Sequence, residues 1–156
     1  MKEYADTMIQ SERWPALIAL DIDAAAESLT VSGIATHDDN ATTDACLSQF
    51  WSHIEAAAAS GRDVTVVFPD IARGPYHTMP IEIEAQRLRA AGATVMLAPL
   101  EALHFQRMID IDGAAMWLGG GRLNTPPTPE EGRQFLRTTN PHACAYLRSL
   151  QQHATP

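Results

Sequence analysis

Two hydrophobic periods alternate along this chain, and the switches between them mark out its elements. In residues 15–27, PALIALDIDAAAE, the residues Leu17, Ile18, Ile22 and Ala25 fall on one helical stripe. Ser28–Ile34 changes to alternation with β-branched residues and reads as a strand. THDDNATTD is a polar loop of turn formers. A helix is expected from Asp44 to Ser60, with Leu47, Phe50, Trp51, Ile54 and Ala58 at helical spacing and Gly61 as its cap. Asp63–Phe68, DVTVVF, is nearly continuous in apolar residues, as in a strand covered on both faces. Trp51, Trp117 and Phe50 read as core.

The pattern then repeats. Pro80 suits the first turn of a helix over IEIEAQRLRAAG, which Gly92 stops. ATVMLAP is a second buried strand. Strand, helix, strand, helix, strand in this order predicts parallel pairing through right-handed crossovers. HFQRMIDID and AAMWLGG follow, joined at Asp112-Gly113, a strong hairpin signal. TPPTP breaks the chain, a helix is expected from Thr128 to about Thr138, and PHACAYLRSLQQH is the last helix. Residues 1–14 read as a polar, loosely held arm and 15–156 as one domain, an α/β fold with a mixed, mostly parallel sheet and helices on both faces.

Charge changes the picture next. The chain has 156 residues, with 11 basic and 19 acidic side chains and a net charge of −8. Lys2 is its one lysine. Such a balance repels polyphosphates on average, so nucleic-acid binding is not expected. No uncharged apolar run approaches the roughly 18 residues of a membrane span. The charged start, MKEYADTMIQSERW, has no apolar h-region, which points to the cytoplasm. Cys46 and Cys144, far apart and outside any C-x-x-C, read as packed, reduced thiols. No ligand spacing calls for a structural zinc, and neither a metal nor a cofactor is expected. His77, Met79 and Met108 lack ligand spacing too, and His37 reads as solvated.

The stretch from His104 to Asn124, HFQRMIDIDGAAMWLGGGRLN, carries the chemistry. It resembles the phospholipase D superfamily, whose motif is H-x-K-x4-D-x6-G-[SG]-x-N over a strand pair with an Asp-Gly turn. AAAASGRDVTVVF and AQRLRAAGATVMLAP resemble the segments that precede that motif, and the resemblance covers roughly residues 17–124. His104 stands at the family's histidine, and Asp112, Gly119 and Gly120 match D-x6-G-[SG]. The lysine position two after the histidine is Gln106. Arg107 lies five before Asp112, the interval that the lysine keeps. The asparagine position is Arg122, with Asn124 two further on.

The resemblance implies an active site made of two motifs, in which one histidine attacks phosphorus and the other protonates the leaving oxygen. Lysine and asparagine hold the non-bridging oxygens, where charge develops. Gln106 donates a hydrogen bond without a charge. Arg107 faces away from His104 unless a bulge intervenes, because alternate residues of a strand point to opposite faces. Losing cation and asparagine raises the barrier by about 3–6 kcal/mol, roughly two to four decades of rate. Two readings follow. In one the chain is a degenerate, non-catalytic relative that serves as a binding or assembly module for a protein partner or a small anionic ligand. Gln106, Gly119, Gly120, Arg122 and Asn124 would then line the ligand site. In the other it is a phosphodiesterase with His104, Arg107 and Asp112 as its catalytic set. A chain with one motif implies a homodimer in either case. Gly119–Gly121 fit a tight turn after the strand better than a backbone anion site, by about two to one.

Overall fold

The computed structural model describes residues 6–25, 27–69, 81–98, 107–120 and 128–154. Seven strands form one sheet in the order β1-β7-β6-β5-β2-β3-β4: β1 (Asp6–Gln10), β2 (Ser28–Ser32), β3 (Asp63–Pro69), β4 (Thr94–Ala98), β5 (Met108–Ile111), β6 (Ala115–Gly119) and β7 (Gln134–Thr138). Four helices accompany them: α1 (Trp14–Ala24), α2 (Ala41–Ala59), α3 (Ile81–Ala90) and α4 (Pro141–Ala154). The expected strand–helix repeat is present, with β2, β3 and β4 paired in parallel. β1 and β6 run the same way as these, while β5 and β7 oppose them, so pairings outside the repeat are antiparallel.

The core follows from the two periods. α1, α2 and α3 cover one face of the sheet, where Ile18, Ile22, Leu47, Phe50, Ile54, Leu88, Val66 and Ile109 are buried. Trp51 and Trp117 lie in this core as expected. α4 covers the other face, its Cys144 and Leu147 clustering with Met108 and Met116 of the sheet. Gln151 of α4 donates to the carbonyls of Thr30 and Met108 and to Ser32 Oγ, which fixes the helix over the junction of β2 and β5. Cys46 and Cys144 are free thiols.

Three expectations need correction. The polar arm contains an edge strand, β1, whose Ile9 packs against the core; the flanking charges hid a strand that is mostly exposed. α2 starts at Ala41 rather than Asp44, because the Asn40 side chain accepts from Thr43 N at 3.0 Å and caps it. The helix expected over 128–138 is a single 3-10 turn, Glu131–Arg133, followed by β7. Its start signal is real: Thr128 N donates to Glu131 Oε1 and Glu131 N to Thr128 Oγ1, a reciprocal capping box. Gly132 weakens continuation, and pairing of Phe135 and Leu136 with both β6 and β1 takes over.

Candidate functional site

Topology brings the candidate residues to one edge of the sheet. β2, β3, β4 and β6 end there and β5 and β7 begin there, as the pairs Ser32–Met108, Met108–Leu118 and Gly119–Phe135 show. Segments 70–80, 99–106 and 121–127 connect to strand ends at this edge and lie outside the described residues. His104, Gln106, Arg122 and Asn124 therefore fall outside them, as do His77 and Met79.

Arg107 stands just before β5. Its Nη1 donates to the Gly132 carbonyl at 2.8 Å, and its Nη2 donates to those of Gly120 at 3.0 Å and Glu131 at 2.9 Å. The guanidinium carbon stands 4.5 Å from the Phe135 ring centroid and 5.8 Å from that of Trp14. Phe135 and Trp14 belong to the face under α1, and alternation along β5 puts Arg107 on that face with Ile109 and Ile111. The planar fork of arginine matches this use: several parallel donors, a flat face for stacking and a charge that is weakly hydrated.

Gly119 and Gly120 support the same arrangement. Gly119 N donates to the Arg107 carbonyl at 2.8 Å, and Gly120 N donates to that of Gln134 at 2.8 Å. Both N–H groups are thus used in backbone hydrogen bonds, and Gly121 lies outside the described residues. Their lack of a side chain is needed for packing, since a Cβ on Gly119 would stand 2.6 Å from Arg107 Nε.

Asp112 is not brought together with Arg107. It lies at the far end of β5, roughly 17 Å away at about 3.3 Å per residue. Asp112 has φ 56° and Gly113 φ 68°, the left-handed pair of a tight Asp-Gly hairpin turn. Asp112 Oδ1 accepts from Glu27 N at 2.8 Å and Ser28 N at 2.9 Å, tying the hairpin to the start of β2.

Sequence reasoning missed two polar staples. Asp21 on α1 accepts from Trp117 Nε1 at 2.7 Å and pairs with Arg137 Nε at 2.6 Å. Asp110 pairs with Arg148 Nε at 2.7 Å and accepts from Gly113 N, while Arg148 Nη2 donates to the Gly113 carbonyl. The hydrogen bond that Arg148 donates to Asp110 raises the arginine's pKa above its ordinary value. Asp21 and Asp110 sit inside otherwise apolar patterns, and that misplacement was the available signal. His37 is exposed and pairs with Asp44 at 3.3 Å.

Beside Arg107 a cavity of about 260 Å³ opens at the same edge. Trp14 and Gly132, which both touch Arg107, form one wall, and Asp38, Asp39, Asn40 and Thr43 form the other. Arg133 on its rim is 3.6 Å from Glu12. Among the described residues no group of three or more His, Cys, Asp or Glu side chains is placed to hold a metal ion. No described helix is long and apolar enough to cross a membrane.

No protein-family model matches the sequence, and no curated protein matches it. Solved structures do. The chain superposes on a phospholipase D family member, Nuc from Salmonella typhimurium, with TM-score 0.65 and 16% identity, over 97% of this chain and 94% of that one. NucT from Helicobacter pylori gives 0.62 and 14% over 98% and 99%. Polyphosphate kinase from Porphyromonas gingivalis gives 0.63 and 16% over 96% of this chain but 26% of its own. The fold is therefore that of phospholipase D, a mixed seven-stranded sheet with helices on both faces.

Proposed function

We propose that this chain is a catalytically degenerate phospholipase D-like protein that acts as a binding or assembly module. The observation that carries this reading is the state of Arg107. It is the one cation that keeps the family's interval to Asp112, and its guanidinium is engaged by the carbonyls of Gly120, Glu131 and Gly132 over the Phe135 ring. A phosphoryl group would have to displace those acceptors to be clamped. Gln106 and Arg122 replace the lysine and asparagine of the motif, and Lys2 is the only lysine of the chain.

The partner side of the reading follows from charge. Asp38 and Asp39 line the cavity beside Arg107 against a single cation among the described residues, Arg133, which is 3.6 Å from Glu12, and the chain carries a net charge of −8. Both oppose a nucleic acid or another polyanion and favour a protein partner over a small anionic ligand. A homodimer fits a chain with one motif, and the free thiols Cys46 and Cys144 fit a reducing cytoplasm. The second reading, a phosphodiesterase with a composite dimeric site, draws on the fold shared with the phospholipase D family member Nuc. Hydrolysis of a model phosphodiester by wild-type protein and its His104→Ala variant separates the two.

A further inference from the structure

Among the described residues, two buried side-chain oxygens have no hydrogen-bond partner, Glu84 Oε1 and Thr36 Oγ1. Glu84 stands in the first turn of α3, between the core residues Ile81, Ala85 and Leu88 of that helix. Its side chain is only 13% exposed. The other oxygen, Oε2, is 3.5 Å from Arg87 Nη1, whose own side chain is mostly in solvent. Glu55 of α2 acts on the carboxylate with like charge, and His37 of the loop after β2 has a smaller, opposing effect that favours the ionised form. Among the described residues β4 also packs on α3; its sequence, TVMLA, offers no charged group. An ionised carboxylate here has one oxygen without a donor, one long ion pair and a like charge opposite.

We propose that Glu84 is a proton-operated latch that sets how firmly the first turn of α3 seats against α2. When ionised, the carboxylate is better solvated if the turn lifts away, and Glu55 pushes in the same direction. When protonated, the repulsion vanishes and the apolar seat of Ile81, Ala85 and Leu88 holds alone. Burial, ahead of Glu55, keeps this carboxyl above the usual carboxylate range. In the lifted turn it regains its ordinary value. The seated form thus binds more protons than the lifted one between those two values, and lifting is favoured as pH rises through that window. Because α3 begins at the candidate-site edge, the latch acts on that edge, and it does so whether or not the edge is catalytic.

Hydrogen exchange of the α3 segment, corrected for intrinsic exchange rates, tests this between pH 4.5 and 7.5. Wild-type protein should show α3 opening several-fold more as pH rises, with α4 as an internal control without that slope. Glu84→Gln should stay protected with a flat profile, and Glu55→Gln should keep a shallower slope. A wild-type profile without a slope overturns the latch, with no variant needed. Equal slopes in wild type and Glu84→Gln overturn it as well. If Glu84→Gln does not fold, a slope unchanged by Glu55→Gln has the same consequence.

Discussion

Arg107 lies across the backbone of Gly119 so closely that a β-carbon at 119 would stand 2.6 Å from its Nε and 2.8 Å from its Cζ. The glycine that matches the motif is thus the floor on which the arginine rests. Gly119→Ala forces the guanidinium off its three carbonyls and is expected to cost about 1–3 kcal/mol. For a chain of this length that lowers Tm by roughly 2–12 °C, since each kcal/mol is worth about 2–4 °C. Arg107→Ala leaves those carbonyls unpaired and should cost about 2–4 kcal/mol. Thermal unfolding of both variants checks this, and wild-type stability in Gly119→Ala would show that Arg107 does not need the contact.

The pair of Asp110 and Arg148 joins the β5–β6 hairpin to α4. Asp110 is 8% exposed, so removing its partner strands a buried carboxylate. Arg148→Met should cost about 3–4 kcal/mol, while the double variant Asp110→Asn/Arg148→Met should be the more stable of the two. Denaturant titrations rank them. A double variant less stable than Arg148→Met would mean that Asp110 has a further role.

Much of this architecture was legible in the sequence. The parallel β2–β3–β4 repeat, the Asp112-Gly113 hairpin and the core tryptophans follow from periods and turn chemistry that act locally. β7 and β1 were not legible, because each is a strand only through its neighbours. β7 follows a genuine helix-start signal at Thr128 and Glu131, and pairing with β6 overrides it beyond Gly132. The candidate site divides the same way. The spacing from Arg107 to Asp112 is visible in the sequence, but the destination of the Arg107 side chain depends on Trp14 and Phe135, which are distant along the chain. The carbonyls that hold it are equally invisible, since every residue has one.

The two thiols should differ in reactivity. Burial pushes the Cys144 thiol above its usual range, so it stays protonated at neutral pH. Cys46 is only half-buried. Alkylation of folded protein at pH 7.5 should therefore modify Cys46 and leave Cys144 unreacted, as peptide mass spectrometry reads directly. The shift also fixes a sign. The folded state holds the Cys144 proton more tightly than the unfolded state does, so this group's contribution to stability falls as pH rises through and above the ordinary thiol range. Equal modification of both cysteines would show that α4 does not shield Cys144.

Charge yields a further expectation. With a net charge of −8, the protein should bind a random DNA duplex only weakly at physiological salt. Micromolar or tighter binding with a steep dependence on salt would reveal a basic surface that the described residues do not show.

Turnover of a bis-phosphodiester model substrate by wild-type protein, measured beside His104→Ala, tests the degenerate reading most directly. The loss of lysine and asparagine is worth about two to four decades of rate. Wild type and His104→Ala should accordingly give the same trace activity, and nucleic acid and phospholipid substrates should behave alike. Gln106→Lys, which returns a cation to the motif, should raise the rate only if the rest of the cleft is intact. Wild-type activity above background that disappears in His104→Ala would contradict the degenerate reading and establish a working phosphodiesterase.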